Sequence, residues 1–523
     1  MISQQGKYDS SIYWTFGLFL GLGIIWFFPW RFQTNDDVMM MWLVSGAYTG
    51  EPEPYAVFIH PWLSWTFSKL YSGSPEVNWY GLTWFGVNFL SAFLLLKKIW
   101  TTTFPTIQKH LLSLFIGLIS VHFAFFPQFT LIAGFAVLGG MTQLFSSYSR
   151  RGLALGFFTF FLGFSIRLES AALISLGWIW AAFIFPLASG NLKWFKILGL
   201  LILCLFLGLG KWGYESAFIS EEYLKFNSAR ATVLDHPVFV QQSQKGEIPE
   251  SSDWFYVSRW MFEELPLDKE DFLIKKKELD QSLFQWKAMG EGLTRLVRIQ
   301  RTELFKSMLI GFLLLAFFAS GAGLKKKILF LSIWIGFYLI FNHFNLLLGR
   351  VNLLFFLVLL FPVFYLPKPT IPRQAAHGLF LFLLLFLCFH SFNFYKEAQG
   401  RLAFQREFDR LLAEKNPESP LFLEGVFEYL FTEQYNSIKQ VSFLGYGWIS
   451  RSAMQEKAYG KREFSSQREM EDFYLLVFRS AEPVIFPDYM NRISPGFQLS
   501  KQINGESLVL LHFSKPKNLF QSP

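Results

Sequence analysis

The chain has 523 residues, of which 52% are hydrophobic, 20% aromatic and only 16% charged, with a mean hydropathy of +0.31 and a net charge of +8. A water-soluble chain of this length would carry about 25% charged residues, so a soluble globular enzyme is excluded. The Lys and Arg residues cluster between apolar segments, as topology signals do, so the positive balance does not imply nucleic acid.

Apolar stretches of roughly 17 to 22 residues, each able to cross a bilayer core, fall at about 12–30, 79–96, 110–127, 129–147, 152–168, 171–189, 195–212, 305–324, 328–347, 351–366 and 377–394. The first has only Lys7 ahead of it and no small-residue cleavage site behind it, so it reads as a retained helix rather than a signal peptide. Cys204 and Cys388 lie inside apolar runs and read as buried thiols, not as a disulfide or a metal site. Every second connection is basic and free of Asp and Glu: Lys97-Lys98 to Lys109, Ser149-Arg150-Arg151, Asn191 to Lys196, Lys325-Lys326-Lys327 and Lys368 to Arg373. Positive charge marks the cytoplasmic side, so the N-terminus is expected inside and the C-terminus outside.

The outer face then receives a loop at 31–78, a loop at 213–303 and a tail at 395–523. Pro52, Pro54 and Pro61 divide the first loop, and its run at 57–70 suits a helix lying on the membrane surface. Glu51 and Glu53 flank these prolines and read as solvated. In the large loop Arg295, Arg298 and Arg301 share one helix face, as a solvated or headgroup-contacting stripe would. The tail predicts a helix near 398–415, strands near 441–444 and 474–478, and a hairpin of 497–503 with 507–513 about a tight Asn504-Gly505 turn. It carries no nucleophile, metal or nucleotide motif and reads as an accessory domain that binds an acceptor or stabilises the whole. The expected fold is an α-helical polytopic membrane protein of about eleven spans, with a transmembrane domain at 1–394 and a small extracytoplasmic α/β domain at 395–523.

Polar residues gather at the outer ends of these spans. They are Asp36-Asp37 in the first loop, His122 and Gln128, Arg167 and Glu169, then Asn227, Arg230, Asp235 and His236, and finally Asn342, His343, Asn345 and Arg350. Their side follows from different residues, the inner Lys and Arg. Ionisable groups at membrane depth face a cavity or a partner and default to a functional hypothesis. Bland readings stand beside this one. Asp36 could cap the helix that follows. Arg167 could pair with Glu169 or snorkel to the interface. His60 and His343 are as suited to structure as to function. Arg350 has no acidic neighbour in sequence and suits an anionic ligand, because a guanidinium matches phosphate oxygens.

Carboxylates and arginines at headgroup level suit glycosyl transfer from a lipid-phosphate sugar. A carboxylate takes the proton of the attacking hydroxyl, a contribution of about 10²- to 10⁴-fold, and an arginine stabilises the departing phosphate. Adjacent carboxylates titrate as a coupled pair. The expected division of labour has Asp36 reactive and Asp37 in support. The pair also invites a divalent cation without specifying a metal site, so cofactor use is left open.

The acidic pair just after the first span, with Asn35, Met40, Ser45-Gly46, Gly50, Pro52, Pro54 and Phe58-Ile59-His60-Pro61, resembles the GT-C superfamily of polyprenyl-phosphate-sugar-dependent membrane glycosyltransferases, and within it a bacterial group. The likeness covers the topology of roughly the first 400 residues. It implies Asp36 or Asp37 as catalytic base or acceptor-orienting group, and Arg350 as phosphate ligand. Arg230, Arg167, Glu169, Asn227, Asp235 and His60 are the further substrate-side candidates. It implies a polyprenyl-phosphate sugar as donor, a glycan, lipid or protein acceptor, and a site on the extracytoplasmic face of the plasma membrane. No sequon-reading motif of the oligosaccharyltransferase kind is present. A polysaccharide polymerase using lipid-linked oligosaccharide fits the same features. A transporter or flippase would place ionisable residues near the bilayer midplane, often with repeats. A scaffold role would leave the outer cluster unexplained.

Overall fold

The computed structural model describes residues 5–185, 192–366, 371–426, 443–480 and 484–516. The first helices are α1 (Gln5–Trp26), α2 (Asn35–Ser45), α3 (Pro61–Gly73), α4 (Trp79–Thr101), α5 (Thr106–Phe125), α6 (Phe129–Ser146), α7 (Arg150–Ile166), α8 (Leu168–Ile184) and α9 (Leu192–Phe218). The large loop carries α10 (Glu221–Leu234), α11 (Pro237–Gln244), α12 (Asp253–Val257), α13 (Lys269–Leu283) and α14 (Trp286–Thr302). The bundle resumes with α15 (Leu304–Phe318), α16 (Leu324–Phe344), α17 (Gly349–Leu357), α18 (Leu360–Tyr365) and α19 (Arg373–Ala413).

Each expected span coincides with a helix, and 351–366 is divided into α17 and α18. Pro362 gives the reason, since it lacks an N–H and its ring clashes with the carbonyl one turn back. Among the described residues, α4, α5, α6, α9, α16 and α19 are long and apolar enough to cross a membrane; Ser10–Trp26, Leu168–Ile184, Leu304–Phe318 and Gly349–Tyr365 are shorter apolar helices. Of the basic inner connections, Asn191 and Lys368 lie outside the described residues.

α6 is the axis of the bundle. It is buried from Phe129 to Phe145 and packs against α4, α7, α8 and α17. Small residues allow this approach. A Cβ on Gly140 would lie 2.7 Å from the Phe160 nitrogen, and one on Gly163 would lie 2.7 Å from the Ala133 carbonyl oxygen. The outer flanks of α9, α16 and α19 expose Leu205, Phe206, Ile333, Ile340, Leu385 and Phe389. Leaving such side chains in water forgoes about 1.5–3 kcal/mol each, so hydrocarbon is their natural surround. The chain is a mostly helical, multi-pass integral membrane protein.

α19 runs 41 residues, a rise of about 60 Å, and the expected domain boundary at 394–395 falls inside it. The tail therefore begins as a continuation of the last membrane helix. Its mixed sheet has the order β1-β2-β4-β3, from β1 (Leu421–Glu424), β2 (Asp472–Phe478), β3 (Gln498–Asn504) and β4 (Leu508–Ser514). β1 lies parallel to β2, and β4 pairs antiparallel with both β2 and β3. Helices α20 (Ala453–Gly460) and α21 (Phe486–Ile493) complete the tail's described elements. The hairpin's tight turn falls at Glu506-Ser507 instead of Asn504-Gly505, because Asn504 pairs with Val509 and the Gly505 N–H donates to the Leu508 carbonyl at 2.8 Å. Glu407 of α19 accounts for this: its carboxylate accepts from the backbone of Ser507 at 2.9 Å and Leu508 at 3.1 Å. Of the strand expected at 441–444, Phe443 forms a parallel bridge with Leu421, and Val441 and Ser442 lie outside the described residues.

The tail clamps onto the loops at 31–78 and 213–303. Arg451 (φ 61°) donates from its guanidinium to the carbonyls of Phe262, Glu263, Leu265 and Leu267 at 2.6–3.0 Å, and its backbone N–H meets the Glu263 carboxylate. Glu53, expected to be solvated, is instead buried and accepts from Lys457 of α20 at 2.8 Å. The physical reason is coverage: α20 lies over the first loop, which the sequence alone leaves open.

Candidate active site

The acidic motif opens α2. The chain ahead of it is stapled to the bundle by Arg31 N–H to the Phe125 carbonyl (3.2 Å) and Gln33 N–H to the Pro127 carbonyl (3.0 Å). Thr34, not Asp36, occupies the N-cap, and the two aspartates stand in the first turn, where the helix dipole favours negative charge. The capping expectation for Asp36 is thereby corrected: the helix begins at Asn35, and Asp36 lies in its first turn. From Asp37 to Ser45 every residue of α2 is buried. This suits an Asp-Val-Met-Met-Met-Trp-Leu-Val run that is apolar on all sides.

Asp37 is fully buried and serves four donors. Oδ1 accepts from Tyr80 Oη at 3.1 Å and Trp84 Nε1 at 3.0 Å, both on α4. Oδ2 accepts from Thr34 Oγ1 at 2.9 Å. The Phe129 N–H, a free amide at the start of α6, reaches Oδ1 at 3.2 Å and Oδ2 at 3.3 Å. Burial pushes its carboxyl up to about 7, against the Trp84, Thr34 and Phe129 hydrogen bonds that favour the charged form. Asp37 thus ties α2, α4 and α6 together.

Asp36 differs from its neighbour. Its side chain is 19% exposed. Trp448 Nε1 donates to Oδ1 at 3.1 Å, and the Arg350 guanidinium stands 4.0 Å from Oδ2. Arg350 is in the first turn of α17, so the fold brings together residues from the first loop, a late hairpin and the tail. The charges acting on Arg350 are those of Asp36, Arg167, Asp37 and Asp235.

The other candidates separate into three groups. Arg167 and Asp235 belong to this cluster. Arg167 lies over the rings of Phe58 at 5.2 Å and Phe129 at 5.1 Å, and its Nε also pairs with the exposed Glu169 at 2.7 Å. Asp235 ends α10, reached by water yet walled by protein, and burial raises its carboxyl while Arg230, Arg350 and Arg167 oppose the rise. Arg230 and Asn227 form a second unit one helical turn apart. Arg230 is buried; its Nε and one Nη hold Asn227 Oδ1 at 3.0 and 2.6 Å, and its guanidinium lies 5.0 Å from the Trp260 ring centre. Its remaining buried Nη1 has no hydrogen-bond partner. His60 stands apart. It caps α3, with Nδ1 accepting from the Trp62 N–H at 3.2 Å and Nε2 against the Leu207 carbonyl at 2.9 Å, so protein occupies both ring nitrogens. With Phe58, Leu168, Lys211, Trp212 and Glu215 it borders a groove of about 170 Å³ beside Arg167.

Four further residues of the expected outer cluster serve the scaffold. Gln128 caps α6, His236 caps α11, Asn342 binds Arg295, and His122 faces His390 at 3.1 Å. Sequence reasoning missed Trp448, whose only signal is a tryptophan behind Gly445-Tyr446-Gly447. It also missed Lys306, buried in α15 and paired with Glu303, with Arg350 and Arg31 close enough to act on its charge. A lone lysine inside an apolar span was the available sign.

Among the described residues no group of three or more His, Cys, Asp or Glu side chains could hold a metal ion. Asp37 spends its oxygens on four donors, which leaves Asp36 as the member of the pair with an open edge.

No protein-family model matches the sequence, and no curated protein matches it. Among solved structures, ArnT from Cupriavidus metallidurans in the apo state is similar, with a TM-score of 0.41 and 9% identity, over 97% of this chain and 98% of that one. ArnT from the same organism bound to undecaprenyl phosphate gives a TM-score of 0.41 and 10% identity, over 98% of each chain. The chain is thus similar to ArnT along almost the whole length of both.

Proposed function

We propose that this chain is an inverting membrane glycosyltransferase that moves a sugar from a polyprenyl-phosphate carrier to an acceptor hydroxyl at the outer membrane surface. The observation that carries the reading is the contrast within the acidic pair. Asp37 is saturated by four donors, whereas Asp36 keeps an accessible carboxylate opposite Arg350.

Asp36 takes the acceptor hydroxyl's proton as that oxygen attacks the anomeric carbon. The new C–O bond forms as the bond from the anomeric carbon to the phosphate oxygen breaks, and the electron pair leaves with the phosphate. Arg350 receives this charge, with Arg167 and Lys306 adding to the positive field. Attack opposite the leaving group inverts the anomeric centre. Asp37 holds the loop that presents Asp36. Arg230, with one unpartnered Nη, is a second anion contact on the same side. The clustering of these charges at helix ends, rather than at mid-span, supports surface chemistry over alternating-access transport.

The test reconstitutes the protein in nanodiscs with polyprenyl-phosphate sugars and cell-envelope extract as acceptor, and follows release of polyprenyl phosphate. Sugar-dependent release that is lost in Asp36→Asn is expected. An unchanged rate in Asp36→Asn overturns the assignment.

A further inference from the structure

Helix α14 is turned inside out for a protein surrounded by water. Its outward face carries Trp286, Met289, Leu293 and Val297, spaced three or four residues apart and therefore in one stripe. They are 85%, 49%, 58% and 52% exposed. Its inward face carries Gly292, which approaches the Asn342 amide, and Arg295, whose guanidinium binds the Asn342 side chain and carbonyl. The arginine points into the protein and the large apolar groups point away.

Two further observations say what covers the stripe. The first is continuity. Phe284, two residues before Trp286, meets Phe344 at the end of α16 with ring centres 6.3 Å apart. From there the exposed apolar flank of α16 continues through Ile340 and Ile333. The stripe and the lipid-facing side of a spanning helix form one apolar surface. The second is charge. Lys287, Arg298 and Arg301 are exposed along the same helix, beside the stripe. An apolar face edged by basic residues fits the boundary between acyl chains and anionic headgroups.

We infer that α14 is a membrane-docking helix that lies in the bilayer interface, with an anionic lipid surface as its partner. It bends at Glu303 directly into α15, and Glu303 pairs with Lys306 and abuts Gly349, the residue before Arg350. The docked helix therefore forms the lipid-side border of the Arg350 turn.

Single nitroxide labels at Leu293→Cys and Val297→Cys, in a chain carrying Cys204→Ser and Cys388→Ser, test this in phosphatidylglycerol nanodiscs. Both labels should relax faster with oxygen than with a water-soluble nickel chelate, as a label at Phe206→Cys on α9 should. A label at Glu506→Cys in the tail should do the reverse. If the 293 and 297 labels behave like the one at 506, or show spin–spin broadening between copies, the inference fails. Met289→Cys repeats the measurement should either variant fold poorly. Zwitterionic nanodiscs should lower the oxygen-over-nickel ratio at 293, and Arg298→Gln with Arg301→Gln should abolish that lipid dependence. Equal ratios in both lipids overturn the choice of an anionic partner.

Discussion

Trp448 and Asp36, 412 positions apart in the chain, meet through a 3.1 Å hydrogen bond from the indole nitrogen to a carboxylate oxygen. The tail thereby reaches the centre of the candidate site. Three contacts hold the presenting segment: Tyr223 Oη donates to the Trp448 carbonyl at 3.0 Å, the Gly445 N–H donates to Tyr48 Oη at 3.0 Å, and Gln455 Nε2 donates to the Gly445 carbonyl at 3.1 Å. Trp448→Phe keeps a ring against Phe58 and removes only the donor. A hydrogen bond to a charged group contributes about 1.5–3 kcal/mol, so kcat should fall about tenfold or more with KM little changed. Steady-state kinetics check this, and Trp448→His, which keeps an N–H, should recover part of the loss.

The two aspartates should respond to substitution in opposite ways. Asp36→Asn should lower the transfer rate by about 10²- to 10⁴-fold and leave thermal unfolding unchanged. Asp37→Ala strands the Tyr80, Trp84, Thr34 and Phe129 donors. It should destabilise the protein by at least about 1–3 kcal/mol, the penalty for an unsatisfied buried group. Unfolding curves in nanodiscs beside rate measurements separate the two roles.

Asp37 should also make stability depend on pH. Burial raises its folded carboxyl to about 7 from its ordinary value of 3.8. Between those values the folded chain holds a proton that the unfolded chain has released. Stability should therefore fall as pH rises from about 4 to 7, by at most about 1.4 kcal/mol per unit for this group. Its favourable contribution is full below that window and gone above it. Glu263, also raised to about 7 by burial, contributes with the same sign. Unfolding midpoints between pH 4.5 and 8 should decline less steeply in Asp37→Asn than in the parent chain.

Arg451 should govern how the tail docks. Its guanidinium satisfies four loop carbonyls while its backbone meets the half-buried Glu263. Arg451→Ala leaves these loop carbonyls without their donor, a loss of at least about 1–3 kcal/mol for unsatisfied buried groups. The variant should show a lower unfolding temperature and faster proteolysis of loop 262–267. It should also lower activity, because Trp448 lies three residues away on the same segment.

Much of this protein is legible in one dimension. Span length and hydropathy depend on local composition, so every apolar stretch found by counting contains a helix. The alternation in the tail likewise marks β2 and the β3–β4 pair. Asp36, Asp37 and Arg350 stand out because charge beside an apolar run is conspicuous wherever the chain goes. Other features are decided only when distant segments meet. Nothing near Asp37 in sequence foretells that Tyr80, Trp84 and Phe129 converge on its carboxylate, or that Asp36 is left open. Glu53 looks solvated until Lys457 covers it, and His60 looks available until α9 takes its second nitrogen. Trp448 carries no local mark beyond the Gly445-Tyr446-Gly447 ahead of it. Burial, hydrogen-bond satisfaction and charge proximity are properties of pairs, and the tertiary fold chooses the pairs.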